Sequence, residues 1–242
     1  NNEHSLAHNF VRTVFEDSKG HLLIGTYIGI QMYDPATDNF TPLAKLEDTG
    51  ETLESNINSF IERKNGEIWV SGNVLCKLNI KDHLLTVRKV DIAVTSPGSL
   101  FEDKKQNVWM AKGEEGVYQL TPDNQLTLHL SKDNGYVKSI CEDQRGNIYV
   151  GSIRKGLFIY DKECKTFVPV DLKEKGELPV CFLYSGIPNE LYIGTDGKGV
   201  AIYNIRTHEI SEYKFDNNYF DSGNSKIHSI LKDNSGNLWL AV

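Results

Sequence analysis

Short apolar segments recur along this chain, separated by polar turns. The segment from Val11 to Phe15 is apolar at most of its positions, and a second apolar segment follows after Asp17 to Gly20. Aspartate at the first position and glycine at the fourth suit a type I turn, which joins two strands in a tight hairpin. Apolar runs of about four to eight residues bounded by turns are typical of buried strands. We therefore predict an all-β chain with close to no helix.

The combination of strand, turn and strand occurs six times. Its second strand carries a large marker residue, found at Leu23, Trp69, Trp109, Tyr149, Tyr192 and Trp239. Successive markers lie 46, 40, 40, 43 and 47 residues apart. A period of about 40 to 50 residues with several strands per unit is typical of β-propeller blades. A leucine-rich repeat would have a period of about 20 to 29, and the Trp-Asp dipeptide of a WD40 array does not occur.

A small residue follows each marker by two positions. These residues are Gly25, Ser71, Ala111, Gly151, Gly194 and Ala241. A small side chain at a fixed place in a strand lets a neighbouring sheet approach closely. A third strand, ending for example at Tyr33-Asp34, and a more polar fourth strand, such as Asn39 to Thr41, complete each unit. We therefore predict four-stranded antiparallel blades.

The repeat predicts a partial β-propeller array of five blades and the start of a sixth. Residues 1–9 form an inter-blade connection, and the predicted blades are 10–56, 57–96, 97–136, 137–179, 180–226 and the incomplete 227–242. The sixth unit stops inside its second strand, and no N-terminal segment resembles its missing strands. We expect these blades to be part of a longer propeller region that continues beyond both ends.

Charge and cysteine content narrow the function classes. The formal net charge is −7, which argues against a nucleic-acid partner because phosphate binding needs a basic surface. The four cysteines, Cys76, Cys141, Cys164 and Cys181, lack C-x-x-C spacing, so neither a zinc site nor a redox motif is expected. We interpret them as free thiols, three of them in predicted strands, and a disulfide stays open if the protein is exported. No cofactor is expected.

The repeat unit V-x-x-I-x-E-D-x-x-G-N-L-W-I-G-T, followed by G-L-x-x-Y-D, resembles the two-component regulator propeller repeat. The best copies are Val11 to Asp34, Val137 to Asp161, Val180 to Asn204 and Ile227 to Val242. The copies that begin at Ile57 and Pro97 are degenerate. The copy at Val180 has Ser185-Gly186 in place of the Glu-Asp pair.

The resemblance implies a location and a function. In that family such repeats form the periplasmic sensor region of hybrid two-component histidine kinases, which are inner-membrane proteins. It implies tandem propellers, a small β-sandwich domain, a membrane helix and intracellular kinase, receiver and DNA-binding parts, none of which is visible in this sequence. Expected partners are an oligosaccharide ligand and the remaining blades of the same parent chain, and we expect the parent to form a homodimer.

Two other function classes remain open, a propeller enzyme of lactonase, lyase or sialidase type and a protein-interaction scaffold. An enzyme needs carboxylates, histidines or arginines that converge on the channel. The seven histidines show neither H-x-H nor H-E-x-x-H spacing, so a metal site is not expected. The glycine-rich segment Gly194 to Gly199 has no following helix and is interpreted as a loop between strands. We therefore predict no catalytic residue in this chain.

The predicted ligand-binding residues lie in loops between the second and third strands of the blades. They are Tyr27, Lys112, Arg154, Lys155, Asp196 and Lys198. These loops share one face of a propeller with the inter-blade loops, which add Tyr136 and Tyr219, and loops at one end of a rigid sheet scaffold commonly carry function. Cations and aromatic rings would suit an oligosaccharide, and the cations would favour an acidic or sulfated one. Two alternatives stay open: solvated loop lysines, and a ligand held between two propellers.

Overall fold

The computed structural model describes residues 5–130, 135–172, 178–214, 226–233 and 235–242. Throughout these residues the regular structure consists of 23 β-strands, and no helix that could cross a membrane is found among them. The chain forms two compact units, residues 1–102 and 103–242. The prediction of an all-β fold built from four-stranded antiparallel sheets is confirmed.

The first unit contains two sheets. The first sheet has the order β1-β2-β3-β4, with β1 (Val11–Glu16), β2 (Leu22–Thr26), β3 (Ile30–Asp34) and β4 (Asn39–Phe40). The second has the order β5-β9-β8-β7-β6, with β5 (Lys45–Leu46), β6 (Ser59–Glu62), β7 (Ile68–Ser71), β8 (Leu75–Lys81) and β9 (Leu84–Lys89). Strand β10 (Leu100–Glu102) ends this unit.

Strand β5 departs from the four-stranded prediction. The sequence placed Lys45 and Leu46 within the first blade at 10–56, whereas the structure pairs them in parallel with Thr86 and Val87 of β9. An outer strand leaves backbone N–H and C=O groups unpaired, and a passing segment can bond to them. The long connection after β4 passes that edge, and Glu47 N–H donates to the Val87 carbonyl at 3.0 Å. The second sheet therefore has five strands.

The second unit holds the remaining strands. It opens with β11 (Val108–Lys112), β12 (Gly116–Leu120) and β13 (Leu126–Leu130). Two four-stranded sheets follow, β14 (Val137–Glu142), β15 (Ile148–Ser152), β16 (Gly156–Asp161) and β17 (Thr166–Pro169), then β18 (Val180–Ile187), β19 (Glu190–Thr195), β20 (Val200–Asn204) and β21 (Ile210–Glu212). The last sheet contains β22 (Ser229–Lys232) and β23 (Leu238–Ala241).

Successive sheets pack against each other at the small residues that follow the markers. A Cβ atom added to Gly25 would lie 2.6 Å from Ile57, and one added to Gly151 would lie 2.4 Å from Val180. Gly194 has the same relation to Ile227, at 2.5 Å. Distances below 3 Å leave no room for a methyl group. The predicted reason for the small residues, close approach of the sheets, is therefore confirmed at these three glycines.

The aspartate that begins a hairpin turn bonds groups of both the turn and the second strand, including at Asp103, where Gln106 takes the place of the predicted glycine. In the second unit the Asp103 carboxylate accepts from the backbone N–H groups of Lys105 and Asn107, both at 2.9 Å. It also accepts from the Asn107 amide at 2.8 Å and from the Trp109 indole at 2.9 Å. The side chain of Asp103 is buried, and Trp109 is only 1% exposed. One carboxylate thus satisfies both the turn and the buried marker residue.

The same arrangement recurs at other turns. Asp143 bonds Arg145 N–H, Asn147 N–H and the Asn147 amide, and Asp233 bonds the equivalent groups and the Trp239 indole. The hydrogen bonds from Trp239 and Asn237 lower the pKa of Asp233 to about 2. The backbone bond from Gly146 N–H to the Asp143 carbonyl, 3.1 Å long, closes the turn as predicted.

The second sheet has an equivalent network in which a basic residue takes the place of the aspartate and a glutamate four residues later supplies the carboxylate. Arg63 stands where the other turns have aspartate, and Glu67 supplies the carboxylate that accepts from the Trp69 indole at 3.0 Å. Lys77 donates to Glu67 at 2.6 Å, and this hydrogen bond is the main reason why the pKa of Glu67 falls to about 2. The Arg63 guanidinium lies 4.6 Å from the centre of the Trp69 ring, a cation–π contact. The degenerate turn therefore preserves the carboxylate-to-indole bond.

A glutamate at the end of the first strand of a hairpin joins successive sheets in three places. Its carboxylate accepts a backbone N–H from the preceding turn, with bonds from Ser18 to Glu62, from Lys64 to Glu102 and from Lys104 to Glu142. Ser18 adds a hydroxyl bond to Glu62 at 2.6 Å. In the copy that lacks the Glu-Asp pair, the Ser185 hydroxyl donates instead to the Glu142 carbonyl at 2.7 Å. The Glu-Asp pair therefore has two structural roles, one within a hairpin and one between sheets.

The four cysteines are free. Cys76, Cys141 and Cys181 are buried in strands, as their apolar sequence surroundings predict, and Cys164 is exposed in the turn between β16 and β17. Burial raises the pKa of the Cys76 thiol to about 11 and that of Cys141 to about 12. The three buried thiols are therefore held in their protonated, unreactive form.

Removal of the turn carboxylate should destabilise the protein. We expect Asp103→Ala to lower the free energy of unfolding by about 2 to 4 kcal/mol, because it leaves the buried Trp109 indole and Asn107 amide without their acceptor. Urea titration followed by tryptophan fluorescence measures the effect. The control is Asp123→Ala in an exposed turn, where we expect a loss below about 0.5 kcal/mol. Equal losses in the two variants would contradict the proposed role.

The close approach at Gly151 gives a second prediction. Gly151→Ala should cost about 1 to 3 kcal/mol, because the new methyl group overlaps the Val180 side chain. Val180→Ala removes the overlapping atoms, so the double variant should be more stable than the sum of the two single losses predicts. Strictly additive losses in urea denaturation would show that the two side chains do not meet.

Candidate functional site

Three segments of the second unit meet at one end of its sheets. They are the β11–β12 loop at 113–115, residues 135–136 before β14, and the β15–β16 loop at 153–155. Val137 N–H donates to the Gly113 carbonyl, and Ile153 N–H donates to the Tyr136 carbonyl, both at 2.9 Å. Backbone bonds therefore hold the inter-blade segment between two loops of the predicted set.

Gly135 and Gly113 are needed at this junction. Gly135 has a φ of 78°, and an added Cβ would lie 2.8 Å from the Ser152 hydroxyl and 2.9 Å from Cβ of Arg154. A Cβ on Gly113 would lie 3.0 Å from the Tyr136 ring, which is 41% exposed. The glycines let the two loops approach the aromatic side chain, so the junction is preformed.

A cavity of about 360 Å³ lies at this junction, lined by Lys112, Glu114, Glu115, Gly135 and Arg154. The Lys112 ammonium lies 2.8 Å from the Glu115 carboxylate, and the Arg154 guanidinium lies 3.1 Å from the Glu114 carboxylate. The second pair joins the two loops. The structure thus places Lys112 and Arg154 in the lining of one cavity, together with two carboxylates that the site prediction did not include.

The other predicted residues of this unit, Lys155, Asp196 and Lys198, do not line that cavity. Lys155 N–H donates to the Ser152 hydroxyl at 3.2 Å. In the β19–β20 loop, Lys198 N–H donates to Thr195 Oγ1 at 3.0 Å, and Asp196 bonds the ammonium of Lys226 at 2.6 Å. The hydrogen bond with Asp196 raises the pKa of Lys226. Here too, a predicted site residue is held in an ion pair.

Tyr27, the remaining predicted site residue, lies in the first unit. Its side chain is 55% exposed, and its ring lies edge-on to that of Phe10, with centroids 6.2 Å apart. Tyr219, which the sequence placed in an inter-blade loop, lies outside the described residues. The binding role of all these residues stays a prediction.

The first unit has a cavity that the site prediction did not include. Its volume is about 650 Å³, and its lining consists of Leu46, residues 51–55, Asn73, Val74 and Lys89. Of these residues, Asn73 and Val74 lie in the β7–β8 loop, which joins the second and third strands of its repeat like the loops of the predicted site. The sequence signal for this cavity was the 46-residue spacing between the first two markers. That spacing indicates a long connection between the first two repeats, and residues 51–55 of the connection line the cavity.

The metal-ligating and histidine side chains of the described residues bear on whether the chain could perform chemistry. Among the described residues, no group of three or more histidine, cysteine, aspartate or glutamate side chains could hold a metal ion. His129 packs against Trp109 and Tyr160, with ring centroids 5.3 and 5.2 Å away, and burial lowers its pKa. Its Nε2 lies 2.8 Å from Gln119 Oε1. The candidate site therefore offers hydrogen-bonding and ionic groups suited to binding.

The sheets and their loop junctions define a β-propeller, and the comparisons agree with this class. Residues 5–27 and 131–154 match the two-component regulator propeller family. The first match covers β1 and β2 of the first sheet, and the second covers β14 and β15. No curated protein matches the chain in sequence.

Solved structures share the fold at low sequence identity. The extracellular domain of BT4673 from B. thetaiotaomicron, described as a hybrid two-component system, has a TM-score of 0.74 and 17% identity over 98% of this chain and 34% of its own. Virginiamycin B lyase from Staphylococcus aureus has a TM-score of 0.74 and 13% identity over 98% and 79%. PorZ of Porphyromonas gingivalis, a surface component of the type-IX secretion system, has a TM-score of 0.71 and 13% identity over 95% and 37%.

These values show a common propeller fold. The chain spans about a third of the BT4673 extracellular domain. Because one of these structures is the extracellular domain of a two-component system and another is a lyase, the fold alone does not choose between a signalling and an enzymatic function.

Proposed function

We propose that this chain is part of the periplasmic sensor of an inner-membrane hybrid two-component protein. Its ligand is an oligosaccharide, and binding is relayed to an intracellular histidine kinase in a homodimeric parent that supplies the remaining blades. The observation that carries the proposal is the match of two segments to the two-component regulator propeller family. The structural likeness to the BT4673 extracellular domain supports the location outside the cytoplasm.

The loop junction of the second unit supports ligand binding. A cavity of about 360 Å³ falls within the range of about 300 to 1,000 Å³ that is usual for small-molecule sites. The exposed ring of Tyr136 lies beside Gly113, the residue that precedes Glu114 in the β11–β12 loop. An aromatic ring provides an apolar surface for the C–H face of a sugar, and the charged groups provide hydrogen bonds for its hydroxyls.

Calorimetry of the complete sensor region of the parent against a panel of oligosaccharides tests the proposal. We expect Lys112→Ala, Arg154→Ala and Lys198→Ala to weaken binding of the best glycan, by about tenfold or more for the first two, because hydrogen bonds from charged groups are lost. The matched controls are Lys19→Ala and Lys162→Ala, which lie at turns on the opposite ends of their strands and should change the affinity less than about twofold.

The outcomes separate the function classes. Unchanged affinity in all three loop variants would show that this surface is not the binding site. Absence of binding to every glycan would contradict an oligosaccharide sensor and leave the protein-interaction scaffold. Conversion of the glycan into products during the titration, detected by chromatography, would instead favour a propeller enzyme.

A further inference from the structure

We propose, on the basis of the proposed function, that the cavity between the β11–β12 and β15–β16 loops takes a neutral oligosaccharide rather than an acidic or sulfated one. The cations of the loops, considered without their neighbours, favoured an anionic ligand. The ion pairs of the structure reverse this expectation.

Among the residues that the structure describes, the lining of the cavity has as many carboxylates as cations. Its charged lining residues are Lys112, Glu114, Glu115 and Arg154, so their formal charges cancel. Each cation has a carboxylate partner at close range, 2.8 Å for Lys112 with Glu115 and 3.1 Å for Arg154 with Glu114. A site that attracts anions presents unneutralised positive charge, and this one does not.

The exposed fractions of the charged side chains also favour a neutral ligand. The Lys112 side chain is only 14% exposed, whereas that of Glu115 is 47% exposed and that of Glu114 is 62% exposed. A ligand that enters the cavity therefore meets two carboxylates and one guanidinium more readily than the lysine ammonium. A sulfate or uronate group would face like charge from both glutamates, and such juxtapositions are strongly disfavoured.

Paired charges suit hydroxyl groups. A sugar hydroxyl both donates and accepts hydrogen bonds, so it can donate to a glutamate while it accepts from the arginine or lysine of the same pair. Because the Arg154–Glu114 pair is exposed and worth little to stability, a ligand can insert into it at small cost. The same pairing of a loop carboxylate with a cation occurs at Asp196 and Lys226, the corresponding place in the next sheet.

The test is a matched set of glycans with one backbone, either unmodified or sulfated, titrated into the complete sensor region. We expect the neutral form to bind at least about tenfold more tightly, and its affinity to change less than about twofold between roughly 50 and 500 mM NaCl, since salt screens only the binding of charged ligands. The Glu114→Gln/Glu115→Gln variant should bind the sulfated glycan about tenfold more tightly than the wild type at low salt, because it removes two negative charges.

Two variants serve as controls. Glu163→Gln, in the exposed turn before β17, removes a negative charge elsewhere and should leave the preference unchanged. The single variant Glu114→Gln, at an exposed position, should shift the preference in the same direction by a smaller factor if the double variant folds poorly. A wild-type preference for the sulfated glycan, with affinity that falls steeply with salt, would overturn the inference and leave the proposed sensor function intact. Failure of all glycans to bind would instead contradict the proposed function.

Discussion

A carboxylate near the hairpin turn accepts the indole N–H of the marker in the three hairpins whose marker is tryptophan, and this is the interaction on which the packing of those repeats depends. An aspartate carboxylate bonds two backbone N–H groups of the turn and the polar edge of the marker, so that a large aromatic side chain can be buried without an unsatisfied donor. The last sheet shows that the hairpin itself encodes this network. Trp239 is 62% exposed, yet its indole still lies 2.9 Å from Asp233, the same distance as in the buried pair of Trp109 and Asp103.

Because of this network, the two ends of the strands have different roles. At the turn end, a carboxylate network closes most of the hairpins, and in three of them a glutamate joins the hairpin to the turn of the preceding sheet. At the other end, the connections need only join strands, so their side chains are free to differ between repeats. The β11–β12 loop has paired acidic and basic residues, whereas the β7–β8 loop has the neutral Asn73 and Val74. Repeats that share a scaffold can thus present different surfaces to ligands.

The sequence predicted the scaffold well because its determinants are local. The turn aspartates, the markers and the glycines at 25, 151 and 194 each act on neighbours in the same hairpin or in the next repeat. The strand β5 was missed because its partner, β9, lies about 40 residues away and pairing by a connection has no periodic signal. At the site, the cations were found as loop residues, but Glu114 and Glu115 were not given a role. Whether a charge is paired depends on where the loops meet, and that is a tertiary property.

Hydrogen exchange of the complete sensor region, with and without a saturating glycan, tests most directly whether the loop end is the functional end. If the loop end binds the glycan, we expect slowed amide exchange in peptides that contain residues 113–115, 135–137 and 153–155. Peptides that contain the turns at 17–20 and 143–146 should exchange at the same rate in both states, because the carboxylate network already protects them. Protection that appears at the turns while exchange in the three loop segments stays unchanged would show that the loop end is not the functional end.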